Sequence, residues 1–197
     1  MIDDDLPADP LVAFEHWLDL AVAARLPEPT AMTLATSTPE GRASARIVLL
    51  KHVNRRGFVF ATNYRSRKGR EIDANPWGSL VFSWIPLERQ VRAEGPIERT
   101  SAEESDAIFA ARPREAQLGA WASAQSEEIP DRATLEAAVA RAELRFPTVV
   151  PRPAHWGAYR LVPRTIELWH GRPHRLHDRI LYESTPAGSW TRRRLAP

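Results

Sequence analysis

Hydrophobic residues recur at two different periods along the chain. Leu11, Phe14, Trp17, Leu18 and Ala21 fall three and four apart, the stripe of an amphipathic helix. Asp9 stands at its N-cap position and Pro10 in its first turn, and Pro27 and Pro29 stop it, so a helix is predicted over about 10–25. From Thr30 the period shortens. AMTLAT, ARIVLLKHV, FVFATN, GSLVFSWI and RQVRAEGPIER are short β-rich runs, divided by turn signals at 39–41, 54–57 and 75–76. Thr100 and Ser101 with Glu104 form a capping-box pattern, which predicts a helix over about 102–112 that ends near Pro113. A second helix is expected over about 134–145. PTVVPRPAHWG reads as a proline-rich loop, and WGAYRLV, TIELW, HRLHDRILYE and SWTRRRLAP supply further strands within 156–197. There is no internal repeat or low-complexity linker. The reading is one domain over 1–197, mainly β with flanking helices, in an antiparallel barrel or sandwich.

Composition narrows the function classes. Across 197 residues the formal net charge is only +2, so no global field points to a nucleic-acid partner. Basic residues nevertheless cluster at 65–70, 172–179 and 192–194, which suggests local anion binding set against the plainer reading of a solvated face. There are no cysteines, so disulfides, thiolate nucleophiles and zinc–cysteine sites are excluded. The opening MIDDDLPADP is acidic and lacks a secretory pattern. No apolar run approaches the roughly 20 residues of a bilayer span. A cytoplasmic protein without a membrane partner is expected.

Four stretches carry candidate chemistry. In SRKGRE (66–71) the cations Arg65, Arg67, Lys68 and Arg70 crowd the start of a short helix expected over EIDAN. Cations are unfavourable at a helix N-terminus, where the macrodipole is already positive. A bound anion reverses that argument, and backbone N–H groups, the Ser66 hydroxyl and the cations could cradle a phosphate. In ARIVLLKHV, Arg46, Val48, Leu50 and His52 share one face, and Ile47, Leu49 and Lys51 the other. Each long cation there needs an anionic partner or a route to solvent. Gln90 in LERQV can both donate and accept, which suits the edge of a heterocycle. HGRPHRLHDR (170–179) holds three histidines and three arginines and admits a metal site, a nucleic-acid patch, an anion pocket or a charged turn. Pro173 argues against a metal-binding helix, and no metal is expected. Read as a strand, HRLHDR would turn Arg175, His177 and Arg179 to one face, a cationic surface for an anionic planar ligand. No G-x-G-x-x-G, P-loop or G-x-S-x-G pattern is present.

Together LPADPL, PTAM, RIVLLKH, VFATN, SRKGREI, NPW, LERQV, RPREAQLGAW, AQSE, HWGAYR, IELWHG, RLHDR and RLAP resemble the pyridoxamine (pyridoxine) 5′-phosphate oxidase family, in family order and over nearly the whole chain. The resemblance implies an FMN-binding split β-barrel that binds FMN at a homodimer interface. It implies oxidation of a phosphorylated B6 vitamer to pyridoxal 5′-phosphate, with O2 reoxidising the flavin. It assigns FMN contacts to Arg46, Ile47, Val48, Leu49, Leu50, Lys51, Ala61, Thr62, Arg67, Lys68, Gln90, Gln125, Ser126, Trp169 and Arg179. It assigns substrate contacts to Lys51, Arg112, Arg175, Leu176 and His177, with Arg175 and His177 as the catalytic pair.

Departures from the family pattern concern the substrate. Ile108 and Ala116 stand where the family carries a tyrosine and a serine that donate to the substrate phosphate. Losing two neutral donors, at roughly 1 kcal/mol each, weakens binding about tenfold or more. Glu28 replaces an aspartate before PTAM. Longer members carry further substrate contacts on a segment ahead of LPADPL, which this chain is not expected to supply. Flavin oxidases of phenazine biosynthesis share FATN…KGRE and NPW, whereas Lys51, LERQV and RPREAQLGAW favour the vitamin B6 enzyme. A flavin-binding protein without oxidase activity is the further alternative. His170 and His174 are assigned no role.

Overall fold

Strict alternation sets the architecture. In β1 (Ala31–Ser37), Met32, Leu34 and Thr36 are buried and their neighbours half-exposed, so one face of the strand lines a core. The computed structural model describes residues 6–197; the first half of the acidic opening MIDDDLPADP lies outside the described residues. After β1 come β2 (Ala43–Asn54), β3 (Gly57–Asn63), β4 (Trp77–Trp84) and β5 (Arg89–Arg99), then β6 (Trp156–Leu161), β7 (Thr165–His170), β8 (Asp178–Ser184) and β9 (Trp190–Arg194). The order is β4-β1-β2-β3-β6-β5, and β4 also pairs with β5, which closes a six-stranded antiparallel barrel. Strands β7, β8 and β9 extend outward from β5.

Helix α1 (Pro10–Ala23) supplies part of the barrel core. Asp9 caps it, accepting from the Leu11 N–H at 2.9 Å. Its Phe14 ring lies 4.9 Å from Phe58, 4.7 Å from Phe82 and 6.1 Å from Trp84. The helix ends two residues before the predicted limit, because Arg25 turns into the left-handed region at φ 54°. Outside the barrel, α3 (Ala102–Ala110), α4 (Arg114–Ala122) and α5 (Arg132–Arg145) share a second core of Phe109, Leu118, Ala142, Val150 and Trp156.

Three elements differ from the sequence expectation. Helix α2 runs Arg67–Ala74, so Arg67, Lys68 and Arg70 lie within its first turn, Arg65 precedes its cap, and EIDAN covers only its second half and the residue after it. The segment after Pro113 forms α4, with Pro113 as its N-cap; a proline that ends one helix is equally suited to start the next. HRLHDR is not a continuous strand. Pro173–Arg175 is a 3₁₀ turn, His174 and Arg175 have φ of 59° and 61°, and β8 begins at Asp178. Pro173 supplies no N–H for a ladder, and two left-handed residues break the period-two alternation. Among the described residues no helix is long and apolar enough to cross a membrane.

Candidate functional site

The predicted residues fall into two groups, one on the barrel wall and one centred on the strands that extend from β5. The first forms around the β2–β3–α2 junction. Ile47 and Leu49 are 64% and 38% exposed, so the outer face of β2 presents an uncovered apolar row. Beside it is a cleft of about 330 Å³, lined by Ile47, Val48, Leu49, Lys51, Ala61, Thr62, Lys68, Arg112 and Gln125, and also by Ala116. Leu50 points the other way, into the core.

Lys51 lines this cleft on the same face of β2 as Ile47 and Leu49, as alternation predicts. Leu50 faces Phe60 and His52 faces Val59, so Lys51 is also the extra residue of a bulge. Lys68 is buried, and its Nζ donates to Thr62 Oγ1 at 3.3 Å. Burial lowers its pKa, with Arg46 adding to the effect. A buried ammonium with a hydroxyl for its partner is short of acceptors, and an anion in the cleft would supply them. Thr62 in turn donates to Gln125 Oε1 at 3.1 Å. The Ser66 hydroxyl is buried and caps α2 by accepting from the Gly69 N–H at 3.3 Å. The Ser126 hydroxyl accepts from the Arg67 N–H at 3.2 Å.

A buried carboxylate organises the cations behind this cleft. Glu71 accepts from Arg67 Nε at 2.9 Å and Arg46 Nη2 at 3.1 Å, and from Thr36 Oγ1 at 2.5 Å and Ser44 Oγ at 2.7 Å. Burial alone pushes its pKa up, but the four hydrogen bonds outweigh burial and hold it at about 2. The repulsion expected at the start of α2 is therefore offset within the chain. Arg112, just after α3, donates to the Ala116 carbonyl at 2.7 Å and lies 4.6 Å over the Trp156 ring.

The second group lies on β5, β7 and β8. Gln90 is opposite Trp169, and Trp169 is opposite Arg179. The Trp169 and His177 rings are 4.7 Å apart. His177 Nδ1 accepts from the Arg172 N–H at 3.1 Å, which leaves Nε2 as the protonated nitrogen of the neutral ring. Arg179 meets the buried Glu167 through two bonds of 3.1 Å and donates to the Ala196 carbonyl at 3.0 Å. Asp178 is buried and bonds Arg172 at 2.8 Å and Arg194 at 2.5 Å, fastening the turn to the C-terminal strand; the Arg172 bond is the main cause of its lowered pKa. Arg175 and Leu176 are exposed on this turn. The expected common face of Arg175, His177 and Arg179 is therefore reduced to His177 and Arg179 flanking Trp169, since Arg175 is displaced by the turn.

Among the described residues no hydrogen bond, ion pair or ring contact joins the two groups, and β2 and β5 lie opposite each other in the barrel order. Another cavity, of about 730 Å³, takes in Gln125 and the predicted cations Arg65 and Arg70. Its Arg70 and Arg99 are already paired with Glu127 and Asp73. Sequence reasoning missed Glu71, Glu167 and Glu104 as organisers. Of these only Glu71 left a direct signal, four residues after Arg67 on one helix. His170 packs toward Trp17, and burial lowers its pKa. Among the described residues no cluster of three or more His, Cys, Asp or Glu is placed to hold a metal.

A closed six-stranded barrel with an appended three-stranded sheet and cations on its outer wall defines a split-barrel protein. A family model described as "Pyridoxamine 5'-phosphate oxidase" matches residues 18–146, and one described as "Pyridoxine 5'-phosphate oxidase C-terminal dimerisation region" matches 156–197. The chain belongs to the pyridoxamine 5′-phosphate oxidase family. It is 57% identical to a pyridoxine/pyridoxamine 5′-phosphate oxidase of Burkholderia lata, over 98% of this chain and 91% of that protein. It is 54% identical to the protein of that name from Cupriavidus necator, over 99% and 92%. Among solved structures it is similar to PhzG from Burkholderia lata in complex with tetrahydrophenazine-1-carboxylic acid, with TM-score 0.93 and 34% identity over 98% of this chain and 95% of that one. An FMN-binding protein of Nostoc punctiforme, 19% identical, shares the fold with TM-score 0.78 over 98% of this chain and 100% of that one.

Proposed function

We propose that this protein is an FMN-dependent oxidase that converts pyridoxine or pyridoxamine 5′-phosphate to pyridoxal 5′-phosphate, reducing O2 to H2O2. The observation that carries the reading is the cleft in which Lys51, Lys68 and Arg112 converge beside the apolar row of β2. Three cations suit two phosphorylated ligands, and the apolar row suits a planar ring. The acceptor-poor Lys68 is the structural reason that a phosphate of FMN fits. FMN, when bound, supplies the two-electron acceptor chemistry. Arg46 to Leu49, Lys51, Ala61, Thr62, Arg67, Lys68, Gln125 and Ser126 hold it from one protomer. Gln90, Trp169 and Arg179 complete the site from the second protomer of a homodimer, whose C-terminal region bears the matched dimerisation segment.

Lys51 and Arg112 bind the substrate phosphate. Arg175 covers the substrate ring, Leu176 packs beside it, and His177 orients it through Nε2–H while the Arg172 N–H holds the other nitrogen. Their task is orientation and water exclusion, which accounts for a large share of the barrier when two rings must stack. A single folded unit over 1–197, working in the cytoplasm without nucleic acid or membrane, completes the reading.

The B6 assignment is favoured over a phenazine-type substrate by a contrast within one species: 57% identity to the Burkholderia lata B6 enzyme against 34% to its PhzG. Ile108 and Ala116, at positions where phosphate donors are expected, favour the second reading. Oxygen consumption by the FMN-loaded protein decides between them, with pyridoxine 5′-phosphate, pyridoxamine 5′-phosphate and a reduced phenazine carboxylic acid assayed in parallel. Turnover with the third compound alone would sink the B6 assignment. A yellow protein inert to all three would be a flavin binder without oxidase activity.

A further inference from the structure

Lys51 and Arg112 reach one cleft from different elements, β2 and the end of α3, so their spacing depends on how those elements are joined. His52 follows the bulged Lys51, and its Nε2 lies 2.9 Å from Glu104 Oε1; a carboxylate accepts, so the ring N–H donates. Glu104 is in the first turn of α3. Both its oxygens also accept from Arg160 Nη2, at 2.6 and 2.9 Å. Arg160 lies on β6, 2% exposed, opposite Val59, which is itself opposite His52. One carboxylate thus fastens α3 to β6 through Arg160 and to β2 through His52. Arg112 follows the last residue of that helix by two positions.

We infer that His52 is a positioning residue for recognition of the phosphorylated substrate, acting through Glu104 to set the spacing between Lys51 and Arg112. The inference rests on the reading that those two cations bind the substrate phosphate. Neither His52 nor Glu104 lines the cleft. The His52 side chain is 39% exposed, and one exposed pair contributes little to stability. Its effect is geometric. A bulge is a local irregularity with fewer ladder bonds to restrain it, and His52 is the first ladder residue after it. Two cations on separate elements bind one phosphate strongly only when both are held at the right separation. Because Arg160 keeps Glu104 in place, removing the imidazole frees the Lys51 side of the clamp and leaves the α3–β6 side intact.

The test uses FMN-loaded His52→Ala, measured by oxygen consumption against pyridoxine 5′-phosphate and by inhibition with inorganic phosphate. The expected KM rises about tenfold and the phosphate inhibition constant rises in parallel, as for loss of a charge-assisted contact. kcat stays within about twofold, and FMN content is unchanged. His52→Gln, whose amide can donate to Glu104, restores both constants to within about twofold. Glu104→Asp, which keeps the charge beside Arg160 but draws it back from His52, reproduces the KM rise and serves if His52→Ala does not hold FMN. Unmoved constants in His52→Ala alongside normal wild-type turnover would overturn the inference alone. So would a fall in kcat and melting temperature at constant KM, or a His52→Gln variant as impaired as the alanine. A wild-type protein that oxidises no phosphorylated B6 vitamer would overturn the functional reading, and this inference with it.

Discussion

Glu71→Gln tests whether a buried carboxylate, rather than a bound ligand alone, reconciles the cations around α2. Glu71 is 6% exposed and accepts from two arginines and two hydroxyls. Its pKa is about 2 in the folded chain against 4.5 for an unconstrained glutamate. A difference of that size is worth about 3 kcal/mol of folding free energy at neutral pH. The unfolded chain takes up the proton first as pH falls. The contribution is therefore complete above about pH 4.5 and is lost as pH drops toward about 2. Glutamine keeps the shape and one acceptor oxygen but removes the charge, so most of that stabilisation should disappear.

The assay is urea unfolding of FMN-free wild type and Glu71→Gln at one fixed protomer concentration, at pH 7 and in steps from pH 5 to 3. At pH 7 the variant should be less stable by about 2–3 kcal/mol, a melting shift of about 4–12 °C for a chain of this size. The gap should narrow steadily below pH 4.5, because wild type loses the contribution that the variant lacks. Equal stability at pH 7, or a gap that stays constant down to pH 3, would refute the assignment of Glu71 as the charged hub.

Other substitutions separate the two groups of residues. Lys68→Gln should weaken FMN binding about 10–100-fold in a fluorescence titration, since a buried ammonium-to-phosphate hydrogen bond is worth about 1.5–3 kcal/mol; unchanged affinity would remove Lys68 from the cradle. Arg175→Ala should lower both turnover and affinity for pyridoxine 5′-phosphate while the flavin absorbance is retained, and normal oxidation by that variant would end the assignment of Arg175. His174, at φ 59°, sits where glycine is unstrained, so His174→Gly should raise stability by about 0.5–1 kcal/mol in urea. A drop in stability would mean that the imidazole makes a contact that outweighs the backbone strain.

Much of the barrel was legible because its strands either alternate or form short apolar runs between turn residues. β1, β4, β5 and β8 follow period-two patterns, β3 and β6 are buried on almost every position and stand out as short apolar runs instead, and the hairpin at Asn54–Gly57 closes where the turn signal falls. Misreadings arose where proline and backbone sign override periodicity. Pro113 joins two helices, and Pro173 with left-handed His174 and Arg175 converts an alternating run into a turn. Lys51 lines the cleft with Ile47 and Leu49, the face that alternation assigns it; what alternation cannot reveal is the bulge at Lys51, since a one-residue insertion leaves the composition of the run unchanged.

The carboxylates behind the site explain why the candidate residues were easier to find than their arrangement. Glu71 lies behind Arg46 and Arg67, Glu167 behind Arg92 and Arg179, Asp178 behind Arg172 and Arg194, and Glu104 behind His52 and Arg160. Each serves two basic side chains on different elements, so each makes a tertiary contact, with partners as far as 75 positions apart. A basic cluster is visible in the sequence; which carboxylate fixes its geometry is not. The pairing has a chemical consequence. A guanidinium held from behind by a buried carboxylate keeps its remaining N–H groups in fixed directions, so an incoming anion meets donors that need little reorganisation. Arg179 has three of its five donors committed in this way. The two that remain can therefore contribute to recognition only along directions that Glu167 has already set.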